Sequence, residues 1–278
     1  MKEIYHSGSA TSATIKRFIS QYKLEWRKKW KVVSQNQLDA QELVYGLCAQ
    51  VLPEYIKRWD GDFGGKYTYG CNVVAPKKWV SLETRYEVPY QYPDGRWTSL
   101  IVVFDGLFYD KNEGLWLFET KTKSRIDEET LQDMLIDDIQ VMLSLLAIRK
   151  FYQKTPKGGL YNVSRRPGQR RGKDETLKTF LDRVKKEVSN PKKYDYYFMR
   201  WEIVIDWSEV MEWKRSFLDP VMLDIRNWFE GTVPHYHNPK GLIGVYGRSE
   251  YYNAILKNDY SGLTQRKFYS RESKNGKN

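Results

Sequence analysis

The sequence predicts an α/β fold, a mixed β-sheet flanked by helices with helical additions at the N-terminus. Three observations predict it. Apolar and aromatic runs of strand character crowd into residues 81–122, segments of helical period alternate with further strands after them, and the chain before them reads as helical. With 278 residues and 15% aromatic content, the chain can bury one large core or two modest ones.

The elements follow in order. A helix is expected near Ser12 to Trp30 and a second near Gln37 to Trp59, where Leu38, Leu43, Leu47 and Val51 recur at helical spacing. A glycine-rich loop, GDFGGKYTYG, leads to strands near Ser81 to Tyr92, Trp97 to Tyr109 and Leu115 to Thr122. The last two form a hairpin: SLIVVFDGLFY and GLWLFETK are rich in β-branched, aromatic and aliphatic residues, and DKNEG between them is turn chemistry. A long helix is expected from about Asp127 to Tyr152, with acids in its first turn and Arg149 and Lys150 at its end, as the helix dipole favours. After it come a short strand, GGLYNV, an arginine-rich loop, a helix around Asp174 to Glu187, the strand YYFMRWEIVID and a long helix to about Glu230. One domain is expected over residues 1–263: a mostly helical part to 80, a core at 81–206 and a C-terminal helical part from 207. A basic, disordered tail is expected over 264–278.

Charge is unevenly placed. The net charge is +11, and the segment from Arg149 to Lys193 holds 15 Lys and Arg against 4 Asp and Glu. From Asp105 to Gln140 the balance reverses, to 10 acids against 4 bases. An acidic hairpin followed by a basic arm points to a metal site beside a phosphate-binding surface; the alternative is a solvated charge run that serves solubility. Within the arm, Arg165, Arg166, Arg170, Arg171 and Lys173 alternate with Pro and Gly. They are expected on mobile backbone that can follow a phosphate chain.

Other classes are excluded. No apolar run approaches the roughly 20 residues of a membrane span, and the N-terminus has no apolar signal-peptide core, so a soluble, cytoplasmic protein is expected. Two cysteines, Cys48 and Cys71, are too few for a disulfide framework or a thiolate cluster. GDFGG lacks the Lys-Ser/Thr of a phosphate-cradling P-loop, and no serine or cysteine nucleophile set stands out. His235 and His237 have the spacing of a strand metal pair but no third ligand in view.

The hairpin carries the chemistry. With the turn centred on Asn112, Asp105 and Glu119 lie seven residues to either side and face each other across the ladder. Opposed carboxylates about 5 Å apart repel, so they need a cation or a shared proton. Lys121, two residues beyond Glu119, lies on the same face of its strand. A Mg²⁺ ion takes oxygen ligands and commonly binds through one or two carboxylates plus substrate phosphate. It can polarise a phosphoryl group and acidify a water that becomes the nucleophile, with the Lys121 ammonium alongside. A surface salt bridge at a solvated strand end is the alternative.

Asp105, then Glu119-Thr120-Lys121 closing an apolar strand, then Gln140 on the next helix, resembles the PD-(D/E)XK nuclease superfamily, in its RecB-like and phage-encoded exonuclease branch. Glu83 and Glu87 in SLETRYEVPYQYPDG look like the acidic strand before the Asp, and GGLYNVSRRPGQRR with DETLKTFLDRV looks like the segment after the catalytic core. The similarity spans residues 81–206. It implies a restriction-endonuclease-like fold and Asp105, Glu119 and Glu87 as ligands of Mg²⁺, with Mn²⁺ as a substitute. It also implies Lys121 as the residue acting on the water and Gln140 as the glutamine of a Q-x-x-x-Y motif. The implied activity is metal-dependent cleavage of double- or single-stranded DNA, as an exonuclease in phage-type recombination that works with a recombination partner protein. The alternatives are a catalytically silent DNA-binding module, an RNA nuclease or a structure-specific endonuclease. The sequence departs from the branch at Ser144, where a Tyr is usual, and at Tyr45, where many members have a metal-binding His; Glu42 lies one turn earlier. Ser249 and Ile255 stand where some relatives have cluster-binding cysteines, so no iron–sulfur cluster is expected.

Overall fold

The computed structural model describes residues 12–29, 34–124, 126, 138–233, 243–244, 247–248 and 261. The His235–His237 pair, Ser249, Ile255 and the basic tail lie outside the described residues. The chain divides into two compact units, Met1–Pro220 and Val221–Asn278. The first contains a five-stranded mixed sheet in the order β1-β2-β3-β4-β5, flanked by helices. The second contains most of a helix, α7 (Asp219–Phe229), and two paired strands of two residues each, β6 (Ile243–Gly244) and β7 (Gly247–Arg248). Among the described residues, no helix is long and apolar enough to cross a membrane.

Helix α1 (Ser12–Lys29) is followed by α2 (Gln35–Arg58), which starts at a capping box: the Ser34 side chain accepts the Gln37 N–H and the Gln37 side chain accepts the Ser34 N–H. The three strands of the hairpin region are β1 (Lys78–Gln91), β2 (Trp97–Tyr109) and β3 (Leu115–Lys123). Period-2 alternation set these bounds, and strand β2 covers the expected residues. β1 and β2 pair from Lys78↔Tyr109 to Gln91↔Trp97, whereas β2 and β3 pair only from Tyr109↔Leu115 to Gly106↔Phe118. Among the described residues, the outer half of β2 therefore has a strand neighbour on one side alone, and its Ile101 and Val103 are exposed.

Asp110 shapes the β2–β3 turn. Its Oδ1 accepts the N–H of Asn112 at 2.8 Å and of Gly114 at 2.7 Å, and its Oδ2 accepts the Trp116 indole N–H at 2.9 Å. Burial raises the carboxyl pKa, but these three bonds and the Lys157 charge outweigh it and hold the group below its ordinary value. Asp110→Ala is expected to cost about 2 kcal/mol in urea unfolding, because it strands three donors. Its contribution is present above the unfolded carboxylate pKa and is lost as pH falls through the lower folded value.

The helix expected from about Asp127 to Tyr152 is broken at Asp138. Asp138 is extended (φ −64°, ψ 118°) and caps α3 (Ile139–Tyr152) by accepting the Val141 N–H, while residues 127–137 lie outside the described residues. Val141, Met142, Leu145, Ala147 and Ile148 bury its inner face. This helix connects β3 to the parallel strand β4 (Gly158–Arg165), as a parallel pairing requires. β4 pairs antiparallel with β5 (Phe198–Val204). At the start of β4, Gly158 has φ 147° and a Cβ there would run into the Ile203 carbonyl oxygen, so only glycine permits this strand contact.

Helix α4 (Leu177–Val188), the short α5 (Tyr194–Tyr197) and α6 (Trp207–Trp213) follow in the first unit; the helical stretch expected to about Glu230 runs to Phe229, with a π-helical turn at Lys214–Leu218. Ile15, Tyr55, Trp59, Phe180, Val184 and Phe198 share one buried cluster; Leu82, Phe108, Trp116, Phe118 and Leu160 share another. A buried polar knot sits behind the sheet. Arg200 binds both oxygens of Asp62, its Nε donates to Asn162 Oδ1 at 2.9 Å, and its guanidinium lies 4.0 Å from the Trp59 ring centroid.

Candidate active site

The hairpin turns about Asn112, as Tyr109↔Leu115 requires, and Gly106↔Phe118 is its last ladder pair. Asp105 and Glu119 would form the next pair, but the ladder stops. Asp105 Oδ2 instead accepts the Thr120 N–H at 2.7 Å, taking the place of a strand carbonyl. On the other side of β2, pairing passes from Leu82↔Gly106 to Thr84↔Phe104, and the intervening Glu83 has φ +43°. A left-handed backbone costs a non-glycine residue about 1–2 kcal/mol. Asp105 thus stands where both of its ladders are interrupted, and its carboxylate reaches the neighbouring strand.

Glu119 is 1% exposed. Its Oε1 lies 2.5 Å from Lys121 Nζ, and the same ammonium donates to Gln140 Oε1 at 2.6 Å. Period 2 along β3 puts Glu119 and Lys121 together, and the start of α3 delivers Gln140 as its second residue. The other Glu119 oxygen, Oε2, is buried with no hydrogen-bond partner among the described residues. Burial pushes this carboxyl up to about 7; the Lys121 bond opposes the rise, and the charges of Asp105 and Asp138 add to it.

Two residues join the site that the sequence reading did not assign to it. Asp138, the cap of α3, lies close enough to act electrostatically on both Glu119 and Tyr161. Tyr161 is the β4 partner of Glu119 and is buried; its phenol is pushed up to about 12 by burial first, then by Asp138 and Glu119. An Asp two residues before the expected glutamine was the available signal for Asp138. Tyr161 depends on the β3–β4 register, which the sequence does not display.

The structure does not bring Glu87 to this cluster. It pairs with Ile101, while Glu83 stands at the step facing Asp105, four residues or about 13 Å of strand away. On α2, Glu42 binds Lys23 at 2.5 Å and Arg27 at 3.3 Å, and Lys23 Nζ lies 5.8 Å from the Tyr45 ring centroid, so both positions are engaged with α1. Ser144, one turn beyond Gln140, is fully buried, and its Oγ has no partner among the described residues.

The arginine-rich loop leaves the sheet beside the site, where the Arg166 N–H bonds to the Lys123 carbonyl at 2.7 Å. It is tethered rather than loose. Arg183 binds the Glu175 carboxylate, the Gln169 side chain and the Arg170 carbonyl, and Arg171 Nε donates to the Glu175 carbonyl. Arg165 is fixed on Tyr196, with its Nε bonded to the carbonyl and its guanidinium 4.1 Å from the ring centroid. Arg166, Arg170, Arg171 and Lys173 remain exposed.

Among the described residues, no group of three or more His, Cys, Asp or Glu side chains is placed to hold a metal ion. Asp105 and Glu119 form a pair, with one buried carboxylate oxygen unanswered. Such a pair fits a hard cation whose remaining ligands are waters and substrate oxygens. No protein-family model matches the chain, and comparison with curated proteins gives no match.

Proposed function

We propose that the protein is a divalent-metal-dependent nuclease of the PD-(D/E)XK kind, with β2, β3 and α3 belonging to a restriction-endonuclease-like core. The observation that carries this reading is the buried, unpartnered Oε2 of Glu119, set beside Asp105 with the Lys121 ammonium on its other oxygen. Asp105 and Glu119 would hold Mg²⁺ or Mn²⁺, which supplies Lewis-acid polarisation of a phosphoryl oxygen and acidifies a bound water. In the hydrolysis, a water oxygen adds to phosphorus and one ester P–O bond breaks, the leaving oxygen taking up a proton. Lys121 uses two of its three N–H donors on Glu119 and Gln140, which fixes the ammonium so that the third can meet an attacking water or a phosphoryl oxygen. Gln140 keeps that ammonium on station. Asn162 Nδ2, bonded to Thr120 Oγ1 at 3.3 Å, steadies the strand from behind. Arg166, Arg170, Arg171 and Lys173 offer positive charge at the same end of the sheet for a phosphate chain, and DNA ends are the proposed substrate.

The test uses end-labelled linear, circular and single-stranded DNA, and RNA, with Mg²⁺, Mn²⁺ or EDTA. Cleavage of linear DNA is expected with either ion and none with EDTA, and Lys121→Ala is expected to lower the rate by about 10²–10³-fold. DNA binding without metal-dependent cleavage above the variant sinks the enzyme reading. Circles cut as readily as ends sink exonuclease action alone.

A further inference from the structure

A cavity of about 310 Å³ lies between α2 and the C-terminal parts of β3 and β4. Its helix side is apolar, formed by side chains such as Leu47 and Val51, and its strand side carries the hydroxyls of Thr120, Thr122 and Ser164. Arg166 stands at the rim, exposed. Thr120 and Thr122 alternate with Glu119 and Lys121 along β3, so the cavity opens on the opposite face of that strand from the acidic pair. It is a separate site that shares one strand with the proposed reaction centre.

The lining selects a class of ligand. The walls are mostly apolar, so the ligand must lay an apolar face on Leu47 and Val51, which a small anion cannot do; a purely apolar molecule would make no use of the strand hydroxyls or of the Arg166 charge. A flat ring with polar edges and an attached phosphate answers all three surfaces: ring face on Leu47 and Val51, ring edge on the hydroxyls, phosphate on the planar guanidinium of Arg166. We propose that this cavity binds a nucleotide, either free or at the end of a DNA strand. Only the second source rests on the nuclease reading.

Cys48 also lines the cavity and serves as its reporter. In a Cys71→Ser variant it is the sole thiol, since the chain has two cysteines. Its alkylation rate is measured alone and with a deoxynucleoside monophosphate, a short 5′-phosphorylated single-stranded oligonucleotide, or inorganic phosphate. At roughly ten times its Kd the occupying nucleotide is expected to slow alkylation about tenfold, as mass action requires, and inorganic phosphate to leave it unchanged. Protection by the mononucleotide alone assigns a free nucleotide, and protection by the oligonucleotide assigns a strand end; both support the site. Arg166→Ala, at an exposed position, is expected to raise the protecting concentration about tenfold, the loss of one charge-assisted contact. A Cys48 rate unmoved by millimolar mononucleotide and oligonucleotide overturns the proposal, as does equal protection by phosphate or undiminished protection in Arg166→Ala. Lys121→Ala is expected to keep Cys48 protection while losing cleavage, so the two readings fail separately.

Discussion

Glu119→Gln is expected to stabilise the metal-free protein near pH 8 while abolishing the Mg²⁺ response and the DNA cleavage that the proposed function requires. The buried carboxyl has a folded pKa of about 7 against 4.5 as a free side chain. A raised value means that the protonated form favours folding. The stability is fully present below about pH 4.5 and is lost as pH rises through 7, a loss on the order of 3 kcal/mol by pH 8. Glutamine keeps the shape without the charge, so the variant escapes that loss. Thermal melts in EDTA should show the variant melting well above wild type at about pH 8, with the gap closing at about pH 5. Millimolar Mg²⁺ should raise the wild-type melting temperature at pH 8 and leave the variant where it was. A Mg²⁺ response equal in both proteins would remove Glu119 from the metal site.

Arg200→Met is expected to destabilise the fold by about 3–5 kcal/mol, the range for removing one partner of a buried ion pair. The two side chains Arg200 and Asp62 have no solvent exposure. Without the guanidinium, the Asp62 carboxylate keeps the Tyr67 hydroxyl, 2.7 Å away, but loses its counter-charge. Asn162 loses the Arg200 donor and retains the Tyr55 hydroxyl at 3.1 Å. The double variant Arg200→Met with Asp62→Leu is expected to recover much of the loss, because an apolar pair of similar volume costs no charge burial. Urea unfolding of the single and double variants reads both effects. A single variant within about 0.5 kcal/mol of wild type would show that the ion pair is not buried in solution.

The hairpin was legible because its signals are local. Alternation in SLIVVFDGLFY and GLWLFETK fixes the strands, and the turn residues of DKNEG fix the register about Asn112, which places Asp105, Glu119 and Lys121 together. The interruption at Asp105 was not legible, since alternation cannot show where two ladders end. Glu83 and Glu87 share a face by period, and only the pairing partners separate them. The expected helix ran through Asp138 because its composition gives no sign of the break there; Asp138 is extended and caps α3 at Ile139, and residues 127–137 lie outside the described residues. Pro and Gly in SRRPGQRRGK suggested a loose loop. Its tether comes from Arg183, on a helix that folds back over it, and no local pattern announces that contact.

The bond from the Thr120 amide to Asp105 gives the protein a built-in spectroscopic indicator. In a regular sheet an amide proton is hydrogen-bonded to a neighbouring carbonyl and is indifferent to ions in the buffer. Here the acceptor is a carboxylate oxygen, so drawing electron density from Asp105 weakens the bond and shifts the amide resonance. In a two-dimensional NMR titration with Mg²⁺, the Thr120 cross-peak is expected to report the ionic occupancy of the acidic pair directly, with no substrate present.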